Sequence, residues 1–139
     1  MIRKAHLADL PSVLDIWLQT NLEVHSFISP HYWQNNVDYM KQVLPQAEVF
    51  VYEDQNKIMG FVGLEKDYIA GIFVSKEFRS QGIGKQILDF LKSTHPTLSL
   101  SVYAKNQKAI RFYQRENFRI IDEGMDKENQ EAEFRMQWK

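Results

Sequence analysis

The sequence predicts a fold of the α/β (α+β) class, with about seven strands and about four helices. Two stretches, 49–65 and 118–138, carry paired strand patterns around polar turns and predict antiparallel hairpins. Between them, an apolar run at 69–74 passes into helical periodicity at 82–94, as a buried strand feeding an amphipathic helix would. Strand and helix patterns follow in the order β-α-α-β-β-β-α-β-α-β-β, within a single domain spanning 1–139.

Residues 2–5 make the first short strand. Leu10, Val13, Leu14, Trp17 and Leu18 recur at helical spacing as a core-facing stripe, and Pro11 is tolerated in a first turn. A loop is expected from Asn21 to Ser29. Ser29 then caps a second helix with Pro30 at its first position. Trp33, Val37, Met40 and Leu44 share one face of that helix, and Pro45 ends it. Val49–Tyr52 and Ile58–Glu65 flank the polar turn Glu53–Lys57. Ile69–Val74 is apolar at successive positions, which predicts a central strand covered on both faces.

Helix 82–94 turns Ile83, Ile87, Leu88 and Leu91 inward and Lys85, Gln86, Asp89 and Lys92 outward, and His95-Pro96 stops it. Leu98, Leu100 and Val102 alternate with serines as the next strand, and Asn106 caps a helix over 107–116. Phe118–Asp122 and Phe134–Trp138 close the chain, with Phe134, Met136 and Trp138 on one face. The tip of this hairpin carries Asp122, Glu123, Asp126, Glu128, Glu131 and Glu133. Such a run reads as solvated charge, with a weak attraction for cationic substrates as the alternative.

Seventeen basic against 18 acidic residues leave a net charge of −1, which argues against nucleic acid as a partner. A hydrophobic share of 44% with 13% aromatics suits a packed globule. No apolar run reaches membrane-spanning length, and Met1-Ile-Arg-Lys leads into structure without a signal pattern, so a cytoplasmic protein with no membrane partner is expected. With no cysteine, disulfides, thiolate metal sites and a Cys-acyl intermediate are excluded. The four histidines, at 6, 25, 31 and 95, lack metal-ligand spacing, and no metal is expected. Either a monomer or a homodimer fits the chain.

The segment with the clearest chemistry runs from Phe73 to Leu88. Gly82 and Gly84 allow a tight turn and leave out Cβ atoms that would block a ligand. Free N–H groups at the mouth of the following helix favour an anion, and Arg79 and Lys85 bracket them with positive charge. The loop Arg79-Ser80-Gln81-Gly82-Ile83-Gly84-Lys85 thus reads as a pyrophosphate cradle. A Walker loop would need glycine where Arg79 stands and Ser or Thr where Gln86 stands. A dinucleotide fingerprint would need a small residue at Ile87 and an acid at the end of the next strand, which reads Val102-Tyr103-Ala104-Lys105.

What remains, Arg79-x-x-Gly82-x-Gly84 after a strand, resembles the acetyl-CoA signature of the GNAT family of N-acetyltransferases. A second segment, Asn106-Gln-Lys-Ala109-Ile-Arg-Phe112-Tyr113-Gln-Arg-Glu-Asn117-Phe118, is similar to the family's N-x-x-A-x-x-F-Y-x-x-x-G-F. It departs only at Asn117, and asparagine tolerates the left-handed backbone a helix C-cap needs. The resemblance implies a mixed, mostly antiparallel twisted sheet, splayed between strands four and five. It further implies acetyl-CoA as cosubstrate, acetyl transfer to a primary amine, and direct attack in a ternary complex. A catalytically silent acyl-CoA-binding sensor on the same fold is the alternative.

Carried over by motif position, backbone groups of Phe73 and Val74 would hold pantetheine in the gap and polarise the thioester. Asn106, Ala109 and Phe112 would line it, and Tyr113 would protonate the leaving sulfur. Asn106 and Tyr113 sit ~10 Å apart along one helix face. The base that deprotonates the amine is fixed by neither motif. Glu65, at a strand end beside the expected gap, leads on position, followed by His25, His31 and Tyr103, with a water relay as an equal competitor. His25, Phe27, Tyr32, Trp33 and Tyr103 would line the acceptor pocket, for a small amine, a protein lysine or an N-terminal amine.

Overall fold

A computed structural model covers residues 1–139. Its strands are β1 (Ile2–Lys4), β2 (Glu48–Asp54), β3 (Lys57–Glu65), β4 (Tyr68–Val74), β5 (Leu98–Tyr103), β6 (Arg119–Asp126) and β7 (Glu131–Trp138). Its helices are α1 (Leu10–Val24), α2 (Pro30–Asn35), α3 (Val37–Val43), α4 (Ile83–Thr94) and α5 (Gln107–Arg115). The strands form one sheet in the order β1-β2-β3-β4-β5-β7-β6. All pairings are antiparallel except β4 with β5, which is parallel. This is the mixed, mostly antiparallel sheet the resemblance implied. No helix is long and apolar enough to cross a membrane.

Side chains alternate across the sheet and feed two cores. Val62, Leu64, Ile69, Leu98, Leu100 and Met136 face α4 and α5, where Ile83, Ile87, Leu88, Leu91 and Ile110 meet them. Val49, Val51 and Phe61 face the other way, against Val13, Ile16 and Trp17 of α1 and Trp33 of α2. Phe61 and Val62, neighbours in sequence, therefore serve opposite layers. Each such side chain, fully buried, contributes about 1.5–3 kcal/mol. The four inward positions expected for the helix at 82–94 are all buried.

Four local expectations are corrected. The first helix runs on to Val24, through half of the expected loop, because Asn21 turns inward and its amide donates to the Trp17 carbonyl at 2.9 Å. The second helix is two: the Asn36 amide donates back to the Tyr32 carbonyl at 2.6 Å, and the chain bends there between α2 and α3. The acidic stretch at 122–133 is mostly strand, and only 127–130 form the hairpin turn. Asp122, Glu123 and Asp126 are paired in the edge strand β6, Glu131 and Glu133 are half-buried in its inner neighbour β7, and only Glu128 lies in the turn. Lastly, β4 is not covered on both faces: only Ile69 is buried, and Ala70 is exposed.

Candidate active site

The incomplete cover of β4 follows from how little of it pairs with β5. Ladder contacts join only Tyr68 with Ser99 and Ile69 with Leu100. On its other edge β4 stays paired with β3 as far as Val74, opposite Gly60. From Ala70 onward the β5-facing edge of β4 has no strand partner, so a slot opens toward Val74. Continued, the parallel register would bring Ile72 level with Tyr103. Orphan backbone groups along such an edge need a partner of their own.

At the mouth of this slot α4 begins without a side-chain cap. The first amide donated here is Gln86 N–H, to the Gly82 carbonyl at 3.0 Å, so the six amides from Ser80 to Lys85 donate to no group of the protein. Gly82 has φ of +80° with nothing within 4 Å of where a Cβ would lie, and Ser80 is also left-handed at φ 64°. Gly84 serves differently from the expectation of ligand clearance. A Cβ there would come within 3.1 Å of the Phe112 ring, so Gly84 is what lets α5 lie close to α4.

Both cations of the loop are engaged. Arg79 donates through Nε to the Val74 carbonyl at 3.1 Å and pairs with the Glu23 carboxylate at the end of α1. One of the two backbone carbonyls expected to meet pantetheine is thus already shared with a guanidinium. Lys85 pairs with Asp89 at 3.1 Å and Glu116 at 3.4 Å, and these raise its pKa. Gln81 reaches only the Glu77 carbonyl, at 3.5 Å.

On α5, Asn106 caps the helix by accepting the Ala109 amide at 3.2 Å. Tyr113, seven residues on, is buried between Phe112 and Phe118, with ring centroids at 5.2 and 5.6 Å. Its hydroxyl is bonded to no other protein group, and burial raises its pKa, which holds the proton on the oxygen. Asn117 takes the left-handed backbone expected of it, at φ 71°.

The residues expected to line the acceptor pocket do come together. The His25 ring lies 5.0 Å from Tyr103, 5.7 Å from Phe27 and 5.7 Å from Trp33, and Tyr32 packs edge-on against Trp33 at 4.9 Å. Tyr103 donates its hydroxyl to Asp126 at 2.6 Å, and burial together with that carboxylate raises its pKa. The Trp33 indole N–H is buried with no acceptor, an uncompensated donor that costs about 1–3 kcal/mol.

Burial lowers the His25 pKa from 6.5 to about 4, so at neutral pH this ring is uncharged. In the unfolded chain the ring takes up a proton near pH 6.5, whereas in the folded protein it does so only near pH 4. Stability is therefore full above about pH 6.5 and falls as pH drops toward 4, by on the order of 2 kcal/mol after allowing for partial exposure. Urea midpoints measured across this range should show that slope, and His25→Gln should flatten it.

Two expected bases are not brought to the slot. Glu65 is exposed and sits opposite Tyr68, where β4 and β5 are joined, about 13 Å back along the strand from the level of Ile72. It was placed beside the gap because the position of the splay along the strand is invisible in sequence. His31 is exposed and, apart from its backbone amide on the Ser29 cap, makes no polar contact. Conversely, the sequence alone suggests no site role for Asn21 or Glu23, and shows Asp126 and Glu133 only as members of an acidic run. Glu133 pairs across the ladder with Tyr103, level with the open part of the slot, and burial with the nearby Asp126 charge raises its pKa. Asn21 left one available signal: it continues the Val13–Trp17 spacing as a polar residue on the apolar stripe.

Comparison with known proteins places these features in context. Residues 45–120 match the family model described as acetyltransferase (GNAT) domain. The chain is 36% identical over 140 residues to a peptidyl-lysine N-acetyltransferase, YiaC of Escherichia coli K12, covering 99% of this chain and 96% of that protein. In three dimensions it resembles the solution structure of apo-form YjaB from Escherichia coli, with a TM-score of 0.88 and 21% identity, over 99% of this chain and 96% of that one. It also resembles yncA, a putative acetyltransferase from Salmonella typhimurium solved with acetyl-CoA, with a TM-score of 0.73 and 16% identity, over 100% and 92% of the two chains.

Proposed function

The chain belongs to the GNAT family of acetyl-CoA-dependent N-acetyltransferases, and on that premise we propose that it acetylates the ε-amine of lysine in a protein by direct attack in a ternary complex. The observation that carries this reading is the slot, unzipped beyond Ile69 and ending at an uncapped helix mouth. The six uncommitted amides of Ser80–Lys85 fit a diphosphate, and the unpaired edge of β4 at Phe73 and Val74 fits the amides of pantetheine. Arg79 and Lys85 remain beside that loop as counter-charges.

Acetyl-CoA supplies a thioester whose carbonyl carbon takes the amine and whose sulfur departs. Everything else falls to the chain. Backbone amides along β4 polarise the carbonyl oxygen. Tyr113, protonated and unbonded, gives its proton to the sulfur. With no cysteine in the sequence, no thiol can carry the acetyl group between the two substrates. Glu133 replaces Glu65 as the carboxylate that takes the amine's proton, its raised pKa bringing it nearer the working pH.

A lysine acceptor is supported by the 36%-identical relative and by the acceptor corner itself. The chain's own Lys105 Nζ sits 5.4 Å above the Phe27 ring and 3.2 Å from Glu131, so an aromatic face and a carboxylate already hold an ammonium there. A cytoplasmic setting belongs to the same reading. The test is thiol release from acetyl-CoA with lysine peptides, the same peptides with the lysine blocked, and small amines. Release is expected with the free-lysine peptides alone; release with small amines and none with peptides would overturn the lysine assignment. Glu133→Gln should lower kcat/KM for the peptide about tenfold or more and remove the acidic limb of its pH profile.

A further inference from the structure

Four side-chain and backbone hydrogen bonds run in one line from the middle of α1 to the start of α5. Ala109 N–H donates to Asn106 Oδ1 at 3.2 Å, which turns the Asn106 amide nitrogen toward His25 Nε2, 3.3 Å away. An amide nitrogen only donates, so Nε2 must be the bare, accepting nitrogen. At the other end, Asn21 Nδ2 donates to the Trp17 carbonyl at 2.9 Å, which leaves Asn21 Oδ1 facing His25 Nδ1 at 2.8 Å. A carbonyl oxygen only accepts, so Nδ1 must carry the proton. The two ends independently demand the same neutral tautomer.

We infer that His25 is neither the base nor an acceptor contact but a positioning residue, whose bare Nε2 fixes the rotation of the Asn106 amide and so presents that amide to pantetheine. After the cap and the His25 bond, Asn106 keeps one N–H and one lone pair free. Those are the groups a pantetheine amide would use, and the inference rests on the reading of Asn106 as such a contact. The ring is held by Phe27, Trp33 and Tyr103 on its faces and edges. Of these three rings only Tyr103 carries a titratable group, and its hydroxyl is committed to Asp126. A neutral His25 fits this environment, and a protonated one would set Nε2–H against the Asn106 N–H. The arrangement ties α1, on the acceptor side, to α5, on the cosubstrate side.

Long-range ¹H–¹⁵N spectra of the ligand-free wild-type protein test the tautomer without any turnover. The expected result is a protonated Nδ1 and a bare Nε2 for His25 at pH 7; an Nε2–H tautomer or an imidazolium at that pH overturns the inference. Asn106→Asp keeps the helix cap but can only accept, so it should place a proton on Nε2 and raise the His25 pKa. Kinetically, His25→Leu should raise KM for acetyl-CoA roughly three- to tenfold with kcat within about twofold. His25→Gln offers a donor and an acceptor at similar reach and should restore KM. A folded His25→Leu protein with wild-type KM overturns the positioning role. An unchanged KM in Asn106→Ala would instead overturn the pantetheine contact, leaving the tautomer result standing as a separate fact.

Discussion

Tyr113→Phe is expected to lower kcat by about 100-fold, the loss of roughly 2.7 kcal/mol of transition-state stabilisation, while KM for acetyl-CoA moves less than about threefold. The asymmetry follows from what the hydroxyl does in the resting protein, which is nothing: the ring is buried, and the hydroxyl is protonated and bonded to no other protein group. Removing it takes away no ground-state contact. Replacement by hydrogen also leaves no unsatisfied partner, so the thermal midpoint should hold or rise slightly. A packing role alone would give the opposite pattern, with kcat kept. Equal turnover of the two proteins at pH 7, measured by thiol release, removes Tyr113 from the reaction.

Gly82→Asp is expected to raise KM for acetyl-CoA by roughly 100-fold over Gly82→Asn. Both side chains tolerate a left-handed backbone better than other non-glycine residues, and nothing lies within 4 Å of the position a Cβ would take. They differ by one negative charge at the mouth of α4. At ~5 Å from a doubly charged diphosphate and an intermediate dielectric, that charge costs about 3 kcal/mol. The gap between the two variants should narrow as salt is added. Equal KM values at low salt would show that the anion docks elsewhere.

These two residues were legible in the sequence because their motifs are local: a strand, a loop and a helix start written consecutively. The order of elements and the inward face of α4 were legible for the same reason, since a 3.6-residue period needs no tertiary information. Glu65 was misplaced because the point at which β4 leaves β5 depends on pairing between strands about 30 residues apart in sequence. The break at Asn36 turned on one amide folding back on the Tyr32 carbonyl, a choice that an Asn-Asn pair leaves open. Glu133 and Asp126 were read as part of a solvated tip. Their register opposite β5 and against Tyr103 exists only once the hairpin is built. Asn21 carried a faint sign, polarity on an apolar stripe, but its role needs His25 and Asn106 on either side of the fold.

A sheet sewn together at only two rungs in its middle behaves as two leaves on a short spine. The core under α4 and α5 spans both leaves, joining Val62, Leu64 and Ile69 of one to Leu98, Leu100 and Met136 of the other, so side-chain packing rather than ladder bonds holds their relative tilt. A pantetheine arm bonded along the free margin of β4 would add the missing rungs. Loading should therefore stiffen the whole molecule, slowing amide exchange at Ala70–Val74 and in the last strands alike, although the small molecule touches only the first.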